Sequence, residues 1–436
     1  MSFVTSFIVL LQPLTVAMST PSFDNLCTLL AGWAFAPRRT VTGMLQAAGA
    51  VGLKHHSAFH RLFASASWSL DRLGLIVFNL VEPQLAEGQI FLALDDTLAR
   101  KRGLKVFGAG MHHDPLISTR KTALMNWGHS WIVLAVIVRF RRWPERAFAL
   151  PVLFRLYLNH AAAERHRRVY RTRPELAVEL LQILCNHRKS RQFHAIGDAA
   201  YGGQSVLKYL PSNCHLTSRL HLDARLYDAP PVRQPGTNGR PRKRGNRLPT
   251  PREMLTTRAK RLSLNLYGRH DQVRLVETKA RWHCITDRPL RIVAVDPTRG
   301  QRKRQAFYST CHEASGEQVL AWYSSRWSLE VTFHDSKQSL GFEQPQGWSR
   351  RAVERTAPMA MLLYSLIVVW FNEYGHRNYQ VANRPWYRQR QHASFADMLT
   401  TLRRHSIQEQ VLLLPHVAPG CRKIIQALEN VAALAV

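Results

Sequence analysis

The sequence predicts an α/β fold in which a mixed sheet is preceded by a helical N-terminal region and interrupted by a basic, β-rich insertion. Three observations lead there. Residues up to about Leu85 carry apolar positions at helical spacing. From 86 to 222, short continuous apolar runs alternate with amphipathic stretches, the texture of buried strands and covering helices. From 223 to 314, a Pro-, Gly- and Arg-rich stretch is followed by three further strand-like runs. Hydrophobic residues make up 46% and charged residues 20% of the 436 positions, so the chain has the material for a large core and is not disordered by composition.

The opening run "MSFVTSFIVLLQPLTVAMSTPSF" is apolar, but no Lys or Arg precedes it and Gln12-Pro13 interrupts it, so a buried helix is expected rather than a signal peptide. In "RRTVTGMLQAAGAVGLKHHSAFHRLFASASWSLDRL", a helix is expected from Thr40, a break at Ala48-Gly49 and a second amphipathic helix from about Lys54. A helix-turn-helix and an ordinary helical hairpin fit this equally well. "QIFLAL", ending at Leu94, reads as a buried strand. "SWIVLAVIVRF" and "RAFALPVLFRLY" read as two more, separated by the tight turn "RRWPE". "RPELAVELLQILCNH" has Pro174 near the start of a helix. "FHAIGDAAY", "GGQSVLKYL" and "CHLTSRL" then read as strand, helix and strand. Three strands, a helix, a strand, a helix and a strand fit a sheet of the ribonuclease-H type.

The insertion begins with "PPVRQPGTNGRPRKRGNRLPTPRE", in which Arg233, Arg240, Arg242, Lys243, Arg244, Arg247 and Arg252 face one acid, Glu253. No regular element is expected there, and so one-sided a charge points to phosphate contact by a flexible arm. "QVRLVET", "ARWHCITD" and "RIVAVD" follow as strands. Helices resume at about Ser315 and are expected to continue to Val436. The organisation is thus 1–85 helical, 86–222 first part of the core, 223–314 insertion, 315–372 second part of the core and 373–436 helical. The run "MAMLLYSLIVVWF" is short for a bilayer and reads as a core helix, with no membrane partner expected.

Charge narrows the function. Sixty Lys+Arg against 29 Asp+Glu leave a formal charge of +31, which repels itself unless a polyanion shares the surface. Double-stranded DNA is the expected partner, bound in a salt-dependent way. The six cysteines, at 27, 185, 214, 284, 311 and 421, form no zinc-ligand spacing and read as free thiols of a cytoplasmic protein.

In so basic a chain the acids stand out. Asp95-Asp96 ends the first strand in "FLALDDT", and Asp198 ends the fourth in "HAIGDAAYGG", where Gly202-Gly203 is expected to turn the chain. Glu330 follows the insertion. Acids at strand ends suit a site for hard cations such as Mg²⁺, in which two ions stabilise the attacking and leaving oxygens of a phosphodiester. Period-two alternation sends Asp95 and Asp96 to opposite sheet faces, so one of them should reach the metals. In "WYSSRWSLEVTFHDSKQSLGF", steps of three, four and seven residues put Tyr323, Arg326, Glu330 and Lys337 on one stripe of one helix. Taken alone, the stripe fits a solvated face with an Arg326–Glu330 pair. Beside three placed carboxylates it also fits a phosphate-holding face around Glu330.

Tyr323-x2-Arg326-x3-Glu330-x6-Lys337 resembles the tyrosine-arginine-glutamate-lysine signature of DDE transposases from bacterial insertion sequences. "DDTLARKRG", with Lys101 and Gly103, resembles the first-aspartate box of that family, and "GDAAY" its second. The resemblance runs from about Gly32 to Phe371. It implies a ribonuclease-H-like core in which Asp95, Asp198 and Glu330 are catalytic and bind two Mg²⁺ ions, with Mn²⁺ able to substitute. Asp-x-Thr at the strand end selects Asp95 over Asp96, which stays as the alternative. The resemblance further implies that Tyr323, Arg326 and Lys337 contact the transposon end. It implies a homodimer on inverted-repeat DNA that nicks by water attack and then joins the freed 3′-OH to target DNA. The basic triplet Arg242, Lys243 and Arg244 is assigned to DNA on charge alone. A nuclease of the same fold and a non-catalytic DNA-binding descendant are the competing functions.

Overall fold

The computed structural model describes all residues except 1, 115–116, 120–121, 233–238, 241, 257–258, 267–268, 299–302, 380–391 and 413–436. Arg233 of the basic arm, Cys421 and much of the expected C-terminal helical region lie outside the described residues. The strands are β1 (Ile90–Arg100), β2 (Gly110–His113), β3 (Met125–Val138), β4 (Phe148–Tyr157), β5 (Phe193–Gly197), β6 (Cys214–Leu220), β7 (Leu226–Tyr227), β8 (Arg247–Leu248), β9 (Lys260–Leu266), β10 (Arg269–Trp282), β11 (Ile285–Pro297) and β12 (Gln305–Ser309). They form one sheet in the order β2-β3-β1-β5-β6-β12-β11-β10-β7-β8, with β4 also on β3 and β9 also on β10.

Within it, β4-β3-β1-β5-β6 has β3 antiparallel and β5 parallel to β1, and β6 parallel to β5. This large mixed sheet with helices on it is compatible with a ribonuclease-H-like fold. β12 pairs with β6, so the strands between residues 223 and 314 continue the same sheet. Buried runs in β3 and β5 show why the sequence reads as continuous apolar stretches there: helices cover both faces. The helix Arg173–His187 covers one, starting from a capping box between Thr172 and Glu175. Trp327–Leu340 lies on the other, where Thr332 Oγ1 donates to the Ala149 carbonyl at 2.8 Å. Arg350–Glu373, apolar and long enough to cross a membrane, is instead buried against β4 and carries Met359–Phe371 into the core.

Several local expectations change. β1 does not stop at Leu94 but continues through both aspartates to Arg100, because β3 goes on pairing with it after β5 has ended opposite Leu94. "ARWHCITD" is not a strand but the tip of a hairpin, in which Trp282 faces Ile285 across a two-residue turn. Apolar residues on both sides of that turn hide it in the sequence. The arm is irregular through Arg242–Arg244, but Arg247–Leu248 pairs with β7, and Pro251–Met254 forms a helical turn boxed by Thr250 and Glu253. The N-terminal hairpin has helices Val41–Ala47, capped by Thr40, and Ser57–Ala64, with Gly49 at φ 65° in the break. The opening apolar run forms the helix Thr5–Leu11 and a 3₁₀ turn from Gln12, burying Phe7, Leu10, Leu11 and Leu14.

The helix Leu70–Val81 packs on β4 so closely that a Cβ at Gly74 would lie 1.8 Å from the Val152 carbonyl oxygen. Backbone cannot yield there as a side chain can. Gly74→Ala is expected to destabilise the chain by at least about 1–3 kcal/mol in denaturant unfolding, although alanine favours helix. Unchanged stability would show that the helix does not rest on β4 as described.

Candidate active site

The site forms where the parallel neighbour of β1 ends. Leu94 lies opposite Gly197, the last pair of the ladder, so Asp95 and Asp198 follow directly where the two strands part, and neighbouring strands lie about 4.8 Å apart. Asp198 then caps a 3₁₀ turn, its Oδ1 accepting from the Ala200 amide at 2.8 Å, while its carbonyl accepts from Ser218 Oγ at 2.7 Å. Gly202 is needed for closeness rather than for the turn. Its φ is −104°, and a Cβ there would lie 2.1 Å from Ser218 Oγ.

Asp95 and Asp96 point to opposite faces. Asp95 Oδ2 is ion-paired with Arg326 Nη1, on the face covered by Trp327–Leu340. Asp96 Oδ1 accepts from the Tyr201 hydroxyl at 2.8 Å, and its other oxygen lies 3.4 Å from Ser130 Oγ and 3.5 Å from Arg173 Nε. Tyr201 is the aromatic of the "GDAAY" box. The spacing marks it as a motif residue, but its target, Asp96, appears only when β1 and β5 are adjacent.

Arg326 joins the parts. It pairs with Asp95 through Nη1 and with Glu330 Oε1 through Nη2 at 2.9 Å, and its guanidinium carbon lies 5.7 Å from the Tyr323 ring centre. Burial works against its charge, but Asp95, Tyr323, Glu330 and Asp198 together raise its pKa, so it stays cationic. The stripe itself is corrected. Gly316–Ser325 and Trp327–Leu340 are separate helices that meet at Arg326, whose amide bonds the Tyr323 carbonyl at i−3. Ser324 and Ser325 bond back to carbonyls three residues earlier, which breaks the regular ladder.

The four stripe residues therefore meet different surroundings. Tyr323 is 5% exposed with its ring 4.6 Å from that of Phe307. Lys337 Nζ donates to the Leu98 carbonyl at 2.7 Å and lies 3.5 Å from Glu343. Burial lowers its pKa, opposed by Glu343. His334, beside the stripe, is exposed and paired with Asp335. Lys101, of the first-aspartate box, donates to the carbonyls of Glu343 and Pro345, which fastens the segment after the Glu330 helix to the end of β1. Glu343 is the residue sequence reasoning missed. Only its contacts with Lys337 and the Arg100 amide reveal it. Arg242, Lys243 and Arg244 are exposed in the irregular segment before β8, beside another part of the sheet, where Arg244 donates to the His283 carbonyl and lies over Tyr227.

Among the described residues, no three His, Cys, Asp or Glu side chains stand grouped as a metal would hold them. What the site has is crowded negative charge around one buried guanidinium. Burial, opposed by Arg326 and reinforced by Asp198 and Asp96, pushes the Asp95 carboxyl up to about 7. A carboxyl whose folded pKa exceeds its unfolded value holds an extra proton in the native state, so stability from this group falls as pH rises from about 4 to about 7. Asp95→Asn cannot titrate. Its melting temperature relative to the wild type is expected to increase steadily across that window, and a flat difference would contradict the burial of Asp95.

With this geometry in place, the family is clear. The family model described as DDE superfamily endonuclease matches residues 24–283, more than half of the chain and a range that includes Asp95 and Asp198. No curated protein matches the chain. Family and geometry agree on an α/β chain with a nuclease- or transposase-type function on DNA. This chain belongs to the DDE superfamily endonucleases.

Proposed function

We propose that the chain is an insertion-sequence transposase of the tyrosine-arginine-glutamate-lysine branch, with Asp95, Asp198 and Glu330 as its catalytic acids. The observation that carries the reading is Arg326 drawing Asp95 and Glu330 to one cation, with Asp198 on the neighbouring strand. The three acids are distant in sequence, and a plain structural pair would not need all three.

The donor set fits Mg²⁺ in kind. It is all hard oxygen, it carries no sulfur, and its mutual repulsion is relieved by positive charge. Asp95, Asp198 and Glu330 would hold the ions, with Mn²⁺ as a substitute. Bound there, divalent ions supply charge stabilisation for the attacking and leaving oxygens of a phosphodiester. The chain's own residues do the rest. The β1–β5 register keeps Asp95 and Asp198 adjacent, and Lys101 and Lys337 fasten the Glu330 helix to β1. Arg326 holds its carboxylates ready and offers a planar fork to a phosphate. Tyr201, Ser130 and Arg173 keep Asp96 on the opposite face. On this reading inverted-repeat ends are cut, the freed 3′-OH is transferred to target DNA, and a homodimer assembles the two ends.

The test is cleavage of a labelled inverted-repeat end with Mg²⁺. Wild type is expected to cut at the repeat boundary. Asp95→Asn, Asp198→Asn and Glu330→Gln should bind DNA but cut on the order of 10³-fold more slowly, about 4 kcal/mol of barrier. Asp96→Asn should keep most of the activity. Equal cutting by Glu330→Gln would remove Glu330 from the site, and loss of cutting in Asp96→Asn but not Asp95→Asn would exchange their roles.

The exposed triplet supports DNA contact away from the acids. Replacing Arg242, Lys243 and Arg244 with alanine should make the slope of log K against log salt shallower by about 2.7, roughly 0.9 for each phosphate no longer neutralised. An unchanged slope would leave the triplet a solvated linker.

A further inference from the structure

A cleft of about 920 Å³ opens along β4, on the side of β1 away from the basic arm. Trp131 of β3, Phe154–Leu156 of β4, the loop through Arg168 and Arg171 and the first turns of Arg350–Glu373 wall it. Six arginines line it against three acids. Arg155 is taken by Asp71 and Glu179, Arg171 by Glu179, and Arg350 by Glu354. Arg355 donates to the carbonyls of Phe63, Ala66 and Trp68. That leaves the exposed Arg168 and Arg351 as charge that no acid of the cleft balances. Burial and then the like charge of Arg351 lower the pKa of Arg355, a sign of positive crowding that an anion would relieve.

Two further observations point to a ligand. Trp131, which lines the cleft, is 1% exposed, and its indole N–H has no hydrogen-bond partner among the described residues. A buried donor without an acceptor is costly, and a phosphate oxygen is an acceptor of the right kind. Arg167 stands at φ 50°, a left-handed conformation rare outside glycine, and the Arg168 amide is tied to the Ala163 carbonyl at 2.8 Å. The loop is thereby held in a conformation that sets Arg168 at the cleft.

The register gives the position. Thr97 lies opposite Trp131, and Trp131 opposite Leu156, so these share a sheet face with Asp95. Two strand spacings put the cleft about 10 Å from the acids, the length of roughly three base pairs. The arm joins β7 to β8, at the far end of the sheet on the other side of β1.

We propose that this cleft binds backbone phosphates of duplex DNA about three base pairs from the carboxylates, so that DNA is held on both sides of the site. The inference rests on DNA as the substrate, but not on cleavage. Its test is equilibrium binding of a labelled duplex to the full chain across a salt series. For Arg168→Ala with Arg351→Ala, the slope of log K against log salt should become shallower by about 1.8, the share of two phosphates. A charge-matched pair at exposed positions outside the cleft, Lys189→Ala with Arg404→Ala, should leave the slope in place. Trp131→Phe removes the N–H together with part of the buried ring; with the fold retained by circular dichroism, it should weaken binding severalfold at every salt concentration without altering the slope. Equal slopes for wild type and the cleft variant, an equal drop in the control pair, or no loss in Trp131→Phe would each overturn the cleft. Because the readout is binding, these failures are distinct from a failure to cut. A duplex held by the cleft but never cleaved would remove the transposase reading and leave the cleft standing.

Discussion

The buried guanidinium of Arg326 is the constraint on which the candidate site depends. Asp95 stands on a central strand, and Glu330 is on a helix that the chain reaches only after β6 to β12. One cation between them ties that helix to the sheet at the point where β5 ends. An isolated buried ion pair is weak evidence for stability, since desolvation offsets much of the attraction. Here several groups of one sign surround one of the other, so removing the guanidinium would leave partly buried acids facing each other without compensation. This arrangement is better explained by a site that must carry positive charge than by a device for stability.

Around that contact, the fold acts through β1. Its parallel neighbour stops at Leu94 while its antiparallel neighbour goes on to Arg100, so a half-paired stretch carries the two aspartates. The pleat then sends them apart, one to Arg326 and one to Tyr201 and Arg173. At the far end of β1, Arg100 and Lys101 meet the segment around Glu343, which also receives Lys337. The helix bearing Glu330 is thus fastened at both ends to a single strand. The three acids thus meet through that strand, its register with β5 and the helix fastened to it.

Positive charge is distributed to match. The arm and the β4 cleft lie on either side of β1, while the interior of the site is balanced by its own acids. A chain of net charge +31 is unfavourable as an isolated compact body, and surfaces that take phosphate relieve that repulsion where DNA is expected to lie.

Sequence alone marked the long strands and main helices of the core, because apolar runs in strands covered on both faces have no polar alternation to blur them, but not the short β2 or the helix His160–Arg165. It also marked Asp95, Asp198, Arg326 and Glu330, since acids are scarce and the spacing around Arg326 is distinctive. Alternation even separated Asp95 from Asp96 by face. Other features were beyond it. Tyr323 reads as part of a polar stripe, but packing against Phe307 buries it, and paired serines break the helix that the stripe assumes. The hairpin tip at His283–Cys284 is hidden by apolar residues on both sides. Glu343, Tyr201 and Trp131 owe their roles to groups far away in the chain or to walls formed by several elements, as where Lys101 meets Glu343 across 242 positions. Local spacing decides which groups are available. Only the register of β1 with β3 and β5, and the return of the chain to that sheet in the helix Trp327–Leu340, decide which of them meet.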